Sequence, residues 1–400
     1  MFKKLLILII TAFVDMVGLL MILPLMPFYA RTLGASALMV TLLIGSFTAA
    51  QLVSAPMWGR FSDRYGRRPA LLVGLGAAAI AYVVFAFSNS LWLLLVSRVV
   101  QGAGGGTVGV IQAYVADATE PKDRAKALGW LSAATNVGVA LGPPLGSLAL
   151  LAGRSGPGLA AATLCVINMA FAWKFLSESR DSAHAIQRKP SASRTALAYV
   201  VTHAREPGPR LIWIYAIAMG AFSGMSAILA LFLMDRFGVT ERRIWIFFTY
   251  IGTISVVTRA GVLGWAVDRL GEAQLSRVGL VLLATGLLAF PFVHNYALLA
   301  IAIACIPLGT AFTFPCVTSL LSRVIPAAER GLYMGVQQAY GGIARVIIPL
   351  WAGFSYDHFG KNVPFITSAI LVLGSLILNF GINDERKVKA GTEVVSEAAI

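Results

Sequence analysis

The chain has 400 residues, 58% of them hydrophobic and only 12% charged, with a formal net charge of +14. A soluble domain is about 25% charged, so most of this surface cannot face water. Three cysteines without a Cys-x-x-Cys spacing and four histidines outside the apolar runs exclude a zinc framework and a disulfide scaffold, and no G-x-x-x-x-G-K-[ST] loop exists for ATP coupling.

A membrane helix needs ~20 mainly apolar residues to cross ~30 Å of hydrocarbon. Twelve such spans are predicted, at 5–29, 38–58, 69–88, 91–114, 126–150, 157–177, 210–232, 244–266, 273–293, 296–321, 331–353 and 363–382. The first follows Lys3-Lys4, contains Asp15 and has no small-residue cleavage site after it, so it reads as a span and not as a signal peptide. Asp15 is the one carboxylate well inside a predicted span. A charge in hydrocarbon costs at least ~2.5–3.5 kcal/mol, so an acid there faces the bundle interior. Such a group either takes a proton from one side and releases it to the other, or forms a structural ion pair with a neighbouring helix.

The second and third spans are joined by Gly59-Arg60-Phe61-Ser62-Asp63-Arg64-Tyr65-Gly66-Arg67-Arg68-Pro69. Gly59 and Gly66 permit close approach and positive φ, which a tight turn between helix ends requires. The fourth span carries Arg98-Val99-Val100-Gln101-Gly102-Ala103-Gly104. At 1.5 Å per residue, Asp15 lies ~15 Å from one face and Arg98 ~10 Å from the other, so their depths agree within about a turn and Arg98 is the expected partner. Gly104 to Gly109 spells a formal G-x-G-x-x-G, but it lies mid-span and not between a strand and a helix, so close helix packing explains it better than a dinucleotide site. In the fifth span, Gly138, Gly142, Pro143 and Gly146 combine a loosened helix with small residues at four-residue spacing.

Residues 181–209 form a polar, proline-bearing linker between an N-terminal six-helix bundle (1–180) and a C-terminal one (210–383), with a tail at 384–400. An internal repeat supports this division. Gly59, Asp63, Arg64 and Gly66 recur as Gly264, Asp268, Arg269 and Gly271, Pro121 recurs as Pro326, and Arg124, Gly129 and Pro143 recur one residue later as Arg330, Gly335 and Pro349. The fold class is therefore all-α and integral to the membrane, with two six-helix halves around a central cavity. With both termini in the cytoplasm, inner loops hold twenty-three Lys and Arg against six in outer loops, while Arg98, Arg259 and Arg345 lie within helices. The same distribution accounts for the net charge without nucleic acid. Arg259 and Arg345 either bind a substrate anion or cap carbonyls of a kinked segment. Polar and aromatic candidates for the cavity wall are Gln51, Gln112, Asn136, Tyr215, Phe222, Tyr250, Phe312, Gln337, Tyr340 and Arg345.

The 59–69 loop, written G-x-x-x-D-R-x-G-R-R between membrane helices, resembles the loop signature of the major facilitator superfamily. The first half resembles its drug/proton antiporters, and most of all the tetracycline exporters. Asp15, Gly18, Pro24 and Pro27 match their Asp-x-x-Gly…Pro-x-x-Pro pattern; Ala116-Asp117-Ala118-Thr119 matches through Arg124, Gly129 and Trp130 into the fifth span. The second half resembles only the superfamily in general, and residues 278–292 lack the acid that tetracycline exporters carry there. The resemblance implies that Gly59, Asp63, Arg64, Gly66, Arg67 and Arg68 form a conformational switch loop, that Arg98 joins Asp15 in proton handling, and that Gly138, Gly142, Pro143 and Gly146 form an antiporter motif. It implies a monomer in the cell inner membrane that uses a proton gradient and no cofactor or metal. The implied function is alternating-access export of small lipophilic compounds, tetracycline-like ones among them. A carrier of organic anions using the membrane arginines and a non-transporting receptor or scaffold are the competing readings. No catalytic triad spacing or metal cluster points to an enzyme.

Overall fold

The computed structural model describes residues 2–105, 107–119, 123–176, 178, 190–326 and 329–382. Gly106, Pro121, residues 181–189 of the linker and the 384–400 tail lie outside the described residues. Every regular element among the described residues is helical.

The first pass is α1 (Phe2–Ile22) and α2 (Met26–Thr32), separated by a turn at Leu23-Pro24-Leu25. Pro24 has no N–H to continue the ladder, and Pro27 then sits in the first turn of α2, where no N–H is needed. Next come α3 (Ala37–Tyr65), α4 (Arg67–Ala86), and a fourth pass split into α5 (Leu91–Gly104) and α6 (Thr107–Ala118) at the Gly104-Gly105 break. The passes α7 (Arg124–Ala149) and α8 (Gly156–Phe175) complete the first six. The linker contains a helix the sequence reading left irregular, α9 (Pro190–Thr202). The second six passes are α10 (Pro207–Phe237); α11 (Ile244–Val257) continuing through a π-turn at Thr258–Val262 into α12 (Leu263–Leu270); α13 (Glu272–Ala289); α14 (Tyr296–Val324); α15 (Arg330–His358); and α16 (Val363–Asn379).

Ten of these passes are long and apolar enough to cross a membrane. The other two are α16, which is apolar but short, and α15, whose apolar run is interrupted by Gln337, Gln338 and Arg345. Close packing rests on small residues, as expected where lipid tails offer no hydrophobic drive. A Cβ on Gly279 of α13 would come 2.7 Å from the Gly309 carbonyl of α14, and one on Gly158 of α8 would come 2.9 Å from the Ala86 backbone.

Contacts divide the chain into two units. The first is Met1–Gln187 with Ser226–Thr253 and Pro349–Lys361; the second is Arg188–Met225, Ile254–Ile348 and Asn362–Ile400. The first unit thus takes in the C-terminal part of α10, α11 up to Thr253, and the C-terminal part of α15. Polar ties explain this. Asp357 of α15 accepts the Ala37 and Leu38 amides that open α3, at 2.9 and 2.8 Å. Asp235 of α10 accepts from Tyr356 at 2.8 Å and pairs with Lys361 at 3.5 Å. Gly353 allows α15 to approach Thr41 so closely that any Cβ would collide with its hydroxyl.

Candidate functional site

Asp15 lies half-buried in the middle of α1. Its carboxylate accepts a hydrogen bond of 3.0 Å from the hydroxyl of Thr107, a buried residue. Thr107 opens α6 after α5 has ended at Gly104 with Gly105 as its cap, and this break brings the hydroxyl to this point. Carbonyls freed by the break are taken up from α3. Gln51 donates to Gly105 at 3.0 Å, Ser54 to Gly102 at 3.4 Å and Trp58 to Ala103 at 2.5 Å. Satisfying freed carbonyls in this way is what permits a broken helix at membrane depth. Gly102 itself presses on the Phe47 carbonyl, with no room for a Cβ.

Arg98 is almost fully buried, at 1% exposure. It does not pair with Asp15 in this structure. Its guanidinium donates to the Gln101 side chain one turn along α5 and lies over the Phe47 ring, 4.6 Å from the centroid. Its Nε and second terminal nitrogen are enclosed without a hydrogen-bond partner among the described residues. The spacing predicts a shared depth, but depth does not fix the direction a side chain takes around its helix. Asp15 and Arg98 are both within electrostatic range of Tyr82 of α4. A Cβ on Gly18, one turn from Asp15, would stand 3.3 Å from the Tyr82 hydroxyl.

The glycines of α7 face α1. A Cβ on Gly138 would lie 2.8 Å from the Phe13 carbonyl, one on Gly142 would lie 2.5 Å from the Leu20 side chain, and one on Gly146 would overlap the Met21 carbonyl. Pro143 and Pro144 sit inside α7 without ending it. The Gly138, Gly142, Gly146 row is therefore the surface on which the Asp15 helix rests.

In the 59–69 loop, α3 runs on to Tyr65 and the turn narrows to Gly66, at φ 106°. Arg67 gathers the loop: it pairs with Asp63 at 2.7 Å and Asp117 of α6 at 3.0 Å, and donates to Ser62 at 3.0 Å. Glu178, just past α8, accepts from the backbone amides of Arg67 and Arg68 at 2.9 and 3.1 Å. Gly59 lies in open space and Arg64 stacks its guanidinium 5.4 Å from the Tyr65 ring centroid. Thr107, Tyr82 and Glu178 escape sequence reasoning; only Glu178, an acid directly after an apolar span, leaves a recognisable trace.

The proposed cavity residues separate by unit and by role. Gln51 is engaged at the α5 break, Gln112 is exposed, and Asn136 is partly exposed. Tyr250 is 37% exposed on α11. In the second unit, Phe312 packs in a core cluster with Ala266, Leu275 and Cys316, and the Tyr340 hydroxyl donates to the Leu197 carbonyl of α9. Gln337 is fully buried and accepts from Thr318 at 3.3 Å. Phe222 is partly exposed on α10. Tyr215 is buried against Gln338, whose amide donates to its hydroxyl at 3.2 Å.

A family model for the Major Facilitator Superfamily matches residues 8–274 and 260–397. The chain is 29% identical over 352 residues to the tetracycline resistance protein, class C, of Escherichia coli, covering 85% of this chain and 86% of that protein. It is also 29% identical to major facilitator superfamily domain-containing protein 10 of Bos taurus, over 83% of this chain and 76% of that one. Among solved structures, it shares its fold with the human organic anion transporter MFSD10 (TM-score 0.71, 24% identity, 94% and 99% of the two chains). The nucleoside transporter NupG is a further fold relative (TM-score 0.77, 14% identity, 96% and 98%).

Proposed function

Since this chain belongs to the Major Facilitator Superfamily, and is a multi-pass membrane transporter and not an enzyme, we propose that it is a proton-coupled antiporter exporting small lipophilic compounds by alternating access. The observation that carries this reading is Asp15. It is an acid in the middle of a membrane helix, with a neutral hydroxyl and no cation as its partner. An ionised carboxylate held that way is expensive, while a protonated one is not, so the site binds a proton readily and releases it when substrate or solvent arrives. Arg98 keeps donors in reserve close by, and a change in α5 or α1 that brings it to Asp15 favours the ionised form. The glycine surface of α7 lets α1 shift without losing contact.

The apolar groove on α3, α4 and α5, about 850 Å³ and lined by Ala49, Val53, Met57, Val73, Val99 and Ala103, suits a lipophilic compound. Both termini and the 59–69 loop face the cytoplasm in this reading, in the cell inner membrane, on the distribution of Lys and Arg. Similarity brings two substrate classes, because its relatives include a tetracycline resistance protein and an organic anion transporter.

The test is substrate-induced proton release in everted membrane vesicles, offering tetracycline, ethidium and fluorescein to the parent and to Asp15→Asn. Release on adding at least one compound, abolished in Asp15→Asn, is expected. Release that persists unchanged in Asp15→Asn would sink the coupling role of this residue.

A further inference from the structure

The second unit holds two membrane arginines with no acid to neutralise them. Among its described residues the carboxylates are Glu206, Asp268, Glu272 and Glu329, all at helix ends or in turns, and Glu272 is held by Arg323 and Ser319. Arg259 and Arg345 each enclose an Nε that finds no hydrogen-bond partner among the described residues.

Tyr215 lies against the face of α15 that carries Gln338 and Gly341. Tyr215 lies within electrostatic range of Arg259. On α15, Gln338 donates to the Tyr215 hydroxyl, and a Cβ on Gly341 would lie 2.7 Å from the Tyr215 ring. Arg345 follows Gly341 by four residues and Gln338 by seven, so it stands on the same face of α15, one turn further on. Phe314 closes the other side of the ring, with centroids 5.3 Å apart. Arg259 is presented by the π-turn Thr258–Val262, the one such turn among the described residues. A π-turn gives up regular hydrogen bonding to re-aim a side chain, and it is kept mostly at functional sites.

We propose that Arg259 and Arg345, with the Tyr215 hydroxyl and the Gln338 amide, form a binding site for the anionic group of the substrate, a carboxylate or sulfonate on a lipophilic aromatic body. Two guanidiniums offer planar, paired donors that match such a group, and the bound anion supplies the charge that the unit lacks. This rests on the transporter reading above and names the charge of its substrate.

The experiment uses the full chain in lipid nanodiscs and two dyes built on one xanthene core: fluorescein, which is anionic, and rhodamine 123, which is cationic. Binding is read by fluorescence anisotropy. The parent is expected to bind fluorescein at least tenfold more tightly than rhodamine 123. Arg259→Gln and Arg345→Gln each weaken fluorescein at least tenfold and leave rhodamine 123 within twofold, and the Arg→Lys variants lie between. Tyr215→Phe keeps the ring packing and serves if a Gln variant does not assemble; it weakens fluorescein about threefold. Fluorescein binding unchanged in these variants, or both dyes weakened alike, overturns the site. Arg-dependent fluorescein binding without any proton release upholds the site and removes the coupling. Asp15-dependent proton release with binding blind to dye charge upholds the coupling and removes the site.

Discussion

The two halves solve the same structural problem with opposite charges. In the first, Arg67 opens α4 and pairs with Asp117 at the end of α6. The repeat carries position 67 onto Glu272 and position 117 onto Ser322, next to Arg323, and there Glu272 opens α13 and pairs with Arg323 at the end of α14, at 2.5 Å. Each pair follows a glycine with positive φ, Gly66 at 106° and Gly271 at 80°. The polarities are not equivalent. A helix favours anions at its start and cations at its end. Glu272 and Arg323 obey this; Arg67 and Asp117 both oppose it. The first half recovers the lost stabilisation from Glu178, whose carboxylate takes the amides at the start of α4. The second pair is joined by Ser319 of α14 itself, whereas the first depends on Asp63 and on a residue beyond the sixth pass. A tie assembled from four segments is one that a moderate rearrangement can release.

Five variants probe this difference. Arg67→Ala removes three contacts at once and has the largest expected effect: transport falls at least tenfold, and stability drops by about 1–2 kcal/mol, discounted for the exposure of both acids. The reversed pair Arg67→Glu with Asp117→Arg recovers only part of this, because Asp63 and Glu178 then repel the new acid. An equal or complete rescue would show that the extra partners are idle. Gly66→Ala comes next, at roughly 1–2 kcal/mol for a side chain at positive φ. It should exceed Gly271→Ala in a thermal-unfolding comparison, since a Cβ on Gly66 also meets the Glu178 carboxylate at 2.5 Å. Smallest is the reversal Glu272→Arg with Arg323→Glu. It keeps the pair but turns it against both helix dipoles, leaving a deficit of about 0.5–1 kcal/mol; apparent melting temperatures equal to the parent's would refute the dipole account.

Much of this molecule is legible in its sequence because hydrocarbon thickness imposes a length on each pass. Each of the twelve predicted spans corresponds to a helical pass, ten of them long and apolar enough to cross a membrane, and of the two glycines expected to make the turn after the second span only Gly66 does, Gly59 lying inside α3. What the sequence conceals is direction around a helix axis. The spacing predicts one depth for Asp15 and Arg98, yet one turns to Thr107 and the other to Gln101. Tyr340 and Phe312 sit in pass segments that look suitable for a cavity, but their contacts are with α9 and a packed core. Breaks at membrane depth are also hard to foresee. The glycines after Arg98 read in the sequence as close packing, yet α5 ends at Gly104, and Gln51, Ser54 and Trp58 arriving from α3 make the interruption tolerable. The α9 helix was hidden by Pro190, which breaks a helix interior but is at home as its first residue.

The cap on α3 carries a consequence for biosynthesis. Asp357 accepts the Ala37 amide from 320 residues further along the chain. At ~5–20 residues per second, a ribosome needs tens of seconds to make that distance. Throughout that interval the nascent second pass has Ser36 for its Met39 amide, while Ala37 and Leu38 wait for the carboxylate that completes them. The early passes therefore enter the bilayer as a provisional assembly, and the eleventh pass, among the last to be synthesised, finishes the second.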